Sequence, residues 1–175
     1  MILTTGLIFA GVLYVFAVLF CRQRYATWPV YRTVFWLLGI LFALPAFYLH
    51  TNFTGHMVGH LLLGMLSPLC MVLAKPITLA MRSIPVAAAR RLSSLLKSKV
   101  FIFMSDPITA SLLNIGGLWL LYTTSLYAHM HGDAVLYELI HLHIWLAGYV
   151  FTASIISLDP RPHQRSIFYL SLIHI

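Results

Sequence analysis

Long apolar stretches dominate this chain and constrain its fold more than any other feature. Charged residues make up 9% of its 175 residues, whereas hydrophobic residues make up 61%. A soluble domain carries about 25% charged residues, so this composition cannot cover a water-facing surface and requires the lipid bilayer as solvent. It excludes a cytosolic enzyme, a disordered tail and a secreted disulfide-rich domain.

The apolar stretches predict an all-α, polytopic transmembrane helical bundle that forms a single domain over residues 1–175. Crossing the hydrocarbon core of a bilayer takes about 20 apolar residues. Five stretches approach that length. The sixth is much shorter, so the carboxylate at the end of the chain would lie in the middle of the membrane, which is costly. We therefore expect five full helices, a truncated sixth and a chain that is C-terminally incomplete. The predicted helices are residues 2–21, 33–50, 54–74, 107–127, 137–157 and 166–175.

Basic residues predict how the chain is threaded. All eleven Lys and Arg residues follow the first helix or lie between the third and fourth or the fifth and sixth helices. The alternate loops, residues 51–53 and 128–136, carry none. Because Lys and Arg concentrate in cytoplasmic loops, we expect the N-terminus to lie outside. The net charge of +7 then reflects membrane topology rather than nucleic-acid binding.

The long basic loop, residues 75–106, contains a candidate interfacial helix. Between residues 85 and 98 the leucines share one side of a helix, and the basic residues lie elsewhere. Such a helix is typical of segments that lie in the interface and are attracted to anionic lipid. A solvated basic connector is the alternative. Asp106 and Pro107 then predict the start of the fourth helix.

Seven of the nine histidines flank the two predicted outer turns. His56 and His60 are four residues apart, so their imidazoles share one face of the third helix. His60, His141 and His143 lie about 6–9 Å below the outer ends of their helices, and Glu138 shares a face with His141. His141 and His143 project about 200° apart, which allows one to face the bundle and the other a neighbouring helix or lipid headgroups. The seven are His50, His56, His60, His129, His131, His141 and His143.

Three interpretations of these histidines stay open. Imidazole binds copper, zinc, iron and nickel, and thioethers such as those of Met57 and Met130 favour Cu(I). Two histidines on facing helices would instead suit haem. The histidines would also be tolerated in a cofactor-free protein if water, backbone or headgroups satisfied them. The chain contains no HExxH motif, which disfavours a zinc protease, and no Gly-x-Ser-x-Gly, P-loop or dinucleotide motif.

Two segments carry a family resemblance. Residues 54–60 read Thr-Gly-His-Met-Val-Gly-His and are followed by Pro68 and Pro76. Residues 141–151 read His-Leu-His-Ile-Trp-Leu-Ala-Gly-Tyr-Val-Phe and are followed by Asp159-Pro160. From the second helix onward, the chain resembles the CtaG-type integral membrane family of cytochrome c oxidase assembly factors.

The resemblance implies a protein of the bacterial plasma membrane that helps to assemble a haem–copper oxidase. It implies an oxidase subunit as partner and copper binding or delivery at the outer face, and it carries over His56, His60, His141 and His143. We expect His56, His60 and His141 to bind copper, with Glu138 or His143 completing or orienting the site. The alternatives are a small bis-histidine b-type haem protein and a cofactor-free structural membrane subunit.

Overall fold

The computed structural model is a bundle of helices. It describes residues 2–24, 27–46, 48–49, 53–130 and 132–156, and no strand occurs among them. The all-helical prediction is confirmed over this part of the chain. His50, His131, Asp159-Pro160 and the predicted sixth helix lie outside the described residues.

The helices differ in length and in apolar character. Within the described residues, three stretches are long and apolar enough to cross a membrane, namely Leu3–Arg22, Thr54–Leu73 and Ala134–Ile156. Two further helices, Val30–Ala46 and Pro107–Thr123, have 17 residues each. The elements are α1 Ile2–Arg24, α2 Val30–Ala46, α3 Phe53–Leu61, a π-helical segment Leu62–Leu66, α4 Ser67–Leu73, α5 Pro76–Ser83, α6 Val86–Leu96, α7 Lys99–Met104, α8 Pro107–Thr123, α9 Leu126–Met130 and α10 Ala134–Ile156.

Two threonines lie at the end of α8. The hydroxyl of Thr123 donates to the carbonyl of Trp119, and that of Thr124 donates to the carbonyl of Leu120. Thr124 is extended, with φ −113° and ψ 168°. The helix therefore ends at Thr123, four residues before the predicted limit of 127, and the short α9 follows.

The central core joins α1, α2 and α4. Tyr14 of α1 stacks on Trp36 of α2 with ring centroids 4.6 Å apart. Gly39 lets α2 approach α4, because a Cβ at this position would lie 2.6 Å from the side chain of Met71, which is fully buried. α10 packs against α4, the π-helical segment and α8.

The predicted third span, residues 54–74, is interrupted by the π-helical segment. Pro68 has no N–H group and cannot donate to the carbonyl of Gly64, four residues earlier. The N–H of Ser67 instead donates to the carbonyl of Leu62, five residues earlier, as in a π-helix. The carbonyl of Gly64 meets α10 where a Cβ on Gly148 would collide with it. This contact fixes α10 against the third span directly below His60.

Candidate functional site

His56 and His60 form a buried pair on α3. Their relative exposures are 2% and 8%, so both rings are withdrawn from the surface. The two Nε2 atoms lie 2.9 Å apart, and the ring planes are nearly perpendicular at 84°. One nitrogen must donate and the other accept, so at least one imidazole presents a lone pair to its neighbour.

His141 of α10 completes a group of three imidazoles, which we name the histidine cluster: His56, His60 and His141. His141 is 1% exposed, and its ring lies 5.8 Å from that of His60, with the two planes within 17° of parallel. Its Nδ1 is 2.8 Å from the carbonyl oxygen of Tyr137. Since a carbonyl oxygen only accepts, Nδ1 carries the hydrogen, and the lone pair is on Nε2.

Local packing explains why these three rings meet. The spacing of His56 and His60 puts both on the face of α3 that is turned into the bundle. His141 precedes Gly148 by seven residues, about two helical turns, and therefore lies on the same face of α10. Because Gly148 contacts Gly64, that face of α10 is turned toward the third span.

Tyr122, near the end of α8, lies beside the cluster, although nothing in the sequence pattern singles it out. Its ring centroid is 6.2 Å from that of His56 and 6.3 Å from that of His60. Its hydroxyl donates to the sulfur of Met57 over 3.4 Å. Met57 is 46% exposed, so this thioether lies at the rim of the cluster.

Met130 and Glu138 have other surroundings. Met130 is 1% exposed and packs with Leu121 and Ile144 in the apolar core between α8 and α10. The carboxylate of Glu138 accepts a hydrogen bond of 2.9 Å from the backbone N–H of Leu3. A carboxylate is favourable at the first turn of a helix because it complements the helix dipole. Glu138 therefore joins the start of α10 to the start of α1.

His143 projects from the opposite side of α10. It is exposed, and its Nε2 is 3.3 Å from the carbonyl oxygen of Leu113 on α8. Its ring also lies against Gly117, which leaves space for it. Of the two histidines that sequence spacing left unresolved, His141 therefore faces the cluster and His143 faces α8.

The histidine pair has a spacing suited to a metal ion. Two imidazole nitrogens bound about 2.0 Å from one metal are about 2.8–3.5 Å apart, a range that contains the 2.9 Å between His56 and His60. As arranged here, the described residues contain no group of three or more His, Cys, Asp or Glu side chains able to hold a metal. The separation suits the pair, but the hydrogen shared by the two Nε2 atoms must leave before both can bind an ion, and His141 would have to move closer to become a third ligand.

The chain is similar to one described family and to several curated relatives. A family model described as cytochrome c oxidase caa3 assembly factor matches residues 12–174. Uncharacterized proteins of Mycobacterium bovis and Mycobacterium tuberculosis are each 34% identical over 156 residues, covering 82% of this chain and 24% of the relative. An uncharacterized protein of Mycobacterium leprae is 33% identical over 176 residues, covering 93% and 26%. The chain spans about a quarter of the length of these curated relatives. No solved structure matches it.

Proposed function

The chain belongs to the cytochrome c oxidase caa3 assembly factor family, and from this premise we propose that it handles copper for a haem–copper oxidase. In this proposal His56 and His60 bind the ion, and His141 joins them when the cluster is loaded. The observation that carries the proposal is the separation of 2.9 Å between two buried Nε2 atoms. The protein holds or delivers copper as cargo for the oxidase and catalyses no reaction of its own.

The side chains in and beside the histidine cluster support the choice of copper. Imidazole ligands suit copper, and thioethers favour its reduced form, Cu(I). Met57 lies at the rim, half exposed, and its sulfur accepts the Tyr122 hydroxyl. Met57 would therefore receive the ion at the surface, and the buried imidazoles would retain it. The backbone carbonyl bonded to His141 keeps the lone pair of that ring on Nε2, as outer partners of metal-binding histidines commonly do.

We further propose that the N-terminus and the histidine cluster face the outside of a bacterial plasma membrane. Glu138 links the start of α10 to the start of α1. At the other end of α1, Ser83 of the basic segment donates to the carbonyl of Ala17. The cluster and the basic helices thus lie toward opposite ends of the bundle. With five spans and the basic end in the cytoplasm, the copper site would open toward the outside.

A test in the bacterium that makes the protein compares His60→Ala with His143→Ala. Both substitutions remove an imidazole, but only His60 belongs to the cluster. We expect His60→Ala to lower the copper content and activity of the purified oxidase, whereas His143→Ala leaves both unchanged. Full copper content of the oxidase with His60→Ala would contradict the proposal. Loss of a Soret band from the assembly factor itself would instead favour a b-type haem protein.

A further inference from the structure

A second polar site lies at the basic end of the bundle, around Trp28. The indole is 2% exposed, and its Nε1 donates over 3.3 Å to the hydroxyl of Tyr14. That hydroxyl donates over 2.8 Å to the carbonyl of Ala74. The Arg32 guanidinium carbon lies 4.7 Å from the centroid of the indole, and that of Arg82 lies 5.9 Å from it. One buried aromatic ring therefore contacts guanidinium groups from two different helices.

These cations lack acidic neighbours in the sequence. No Asp or Glu precedes Asp106 in the chain, whereas Arg32, Arg82 and most other basic residues lie before it. Among the described residues, the buried Nε of Arg32 has no hydrogen-bond partner. A buried guanidinium donor is costly without an acceptor, and its positive charge favours an anion as an acceptor from outside the chain.

A cavity continues from Arg82 toward α6. It has a volume of about 390 Å³, and Arg82, Arg90 and Ser93 supply its polar lining. Guanidinium groups bind phosphate oxygens in paired, planar geometry. The cavity therefore has the size and the donors for a phosphate-bearing headgroup.

The surroundings favour a lipid over a soluble anion. Ser83, next to Arg82, contacts Ala17, which lies in the last turns of the apolar span Leu3–Arg22. Val86 lines the cavity, and the exposed apolar side chains of the same basic segment include Val86, Leu95 and Val100, with relative exposures of 67%, 66% and 73%. Apolar side chains beside a basic cavity at the end of a span are typical of a surface in contact with anionic lipid.

We propose that Arg32, Arg82 and Arg90 bind the phosphate of an anionic phospholipid, with Trp28 holding the first two guanidinium groups. The site is separate from the histidine cluster and does not depend on copper. It would anchor the inner ends of α1, α2 and α5 to the headgroup layer.

The test measures lipid binding to the full chain by native mass spectrometry in detergent, with phosphatidylglycerol, phosphatidylcholine or inorganic phosphate added. Detergent removes the membrane surface potential, so one-to-one binding reports direct contact. The variants are Arg82→Gln/Arg90→Gln and, as the control, Lys97→Gln/Lys99→Gln. Both pairs remove two positive charges from exposed positions of the same basic segment. Because these positions are exposed, we expect both variants to fold. Arg32→Gln tests the third guanidinium.

We expect one phosphatidylglycerol to bind the parent chain and the lysine variant equally. The arginine pair should weaken this binding about tenfold or more, and Arg32→Gln should also weaken it. Equal loss in the lysine variant would overturn the proposal, because it would show unspecific attraction. Equal binding of phosphatidylcholine would also overturn it. Binding of inorganic phosphate as strong as that of phosphatidylglycerol would overturn it too.

Discussion

Two contacts orient the imidazoles of the histidine cluster. His56 and His60 hold each other through their Nε2 atoms, and His141 is oriented by the carbonyl of Tyr137. In the proposed site the Nε2 lone pairs of these rings bind copper. Bound protons would compete with copper for those lone pairs, so the account requires that copper be released as the pH falls.

Individual residues also explain why the outer histidines are not equivalent. His143 is exposed and contacts the backbone of α8, so its removal leaves the cluster intact. This makes His143 a matched control for any ligand on α3 or α10. Glu138 is bonded to the first turn of α1, and its role in the fold is to hold α1 and α10 together at this end.

At the scale of helices, the contact between Gly64 and Gly148 determines how α10 meets the third span. An alanine at 148 would place its Cβ against the carbonyl oxygen of Gly64, so the helices would have to separate. We expect Gly148→Ala to lower the free energy of unfolding in detergent by about 1–3 kcal/mol. It should also weaken copper binding, because His141 moves with α10.

The control for this prediction is Gly116→Ala in α8. A Cβ at position 116 meets nothing within 4 Å, and alanine in a helix is more stable than glycine by about 0.5–1 kcal/mol. This variant should therefore unfold no more easily than the parent chain. Equal destabilisation by both alanines would show that the Gly64–Gly148 contact does not determine the packing of α10.

Sequence patterns predicted the apolar helices better than their interruptions. The lipid-facing surface of each span demands apolar residues, so Leu3–Arg22 and Ala134–Ile156 are visible in composition alone. The π-helical segment depends jointly on Pro68 and on the partner surface of α10, which one segment cannot reveal. The basic loop is divided into α5, α6 and α7 by local turns. One of these turns is at Lys75, whose backbone is left-handed with φ 53°.

The candidate site was likewise predictable from the sequence only in part. Spacing was enough to pair His56 with His60, because both residues belong to one helix. The choice between His141 and His143 depends on the rotation of α10 about its axis, which the Gly148 contact decides. Tyr122 approaches from another helix, and only the packing of α8 brings it to the cluster.

For the molecule as a whole, the proposed topology predicts which end of the bundle is reachable from outside the cell. The native cysteines Cys21 and Cys70 are buried, so they should react little with a membrane-impermeant maleimide. We expect Gly132→Cys to be labelled on intact cells and Lys97→Cys to be labelled only after the membrane is opened. The reverse pattern would contradict an outer N-terminus and would put the histidine cluster on the cytoplasmic side.

The measurement that tests the central claim most directly is the copper content of the purified chain after expression with added copper. The account predicts close to one copper per chain in the parent and in His143→Ala, released on acidification. It predicts none in the double variant His56→Ala/His60→Ala. Copper retained by the double variant, or absent from the folded parent, would contradict a copper site at the histidine cluster.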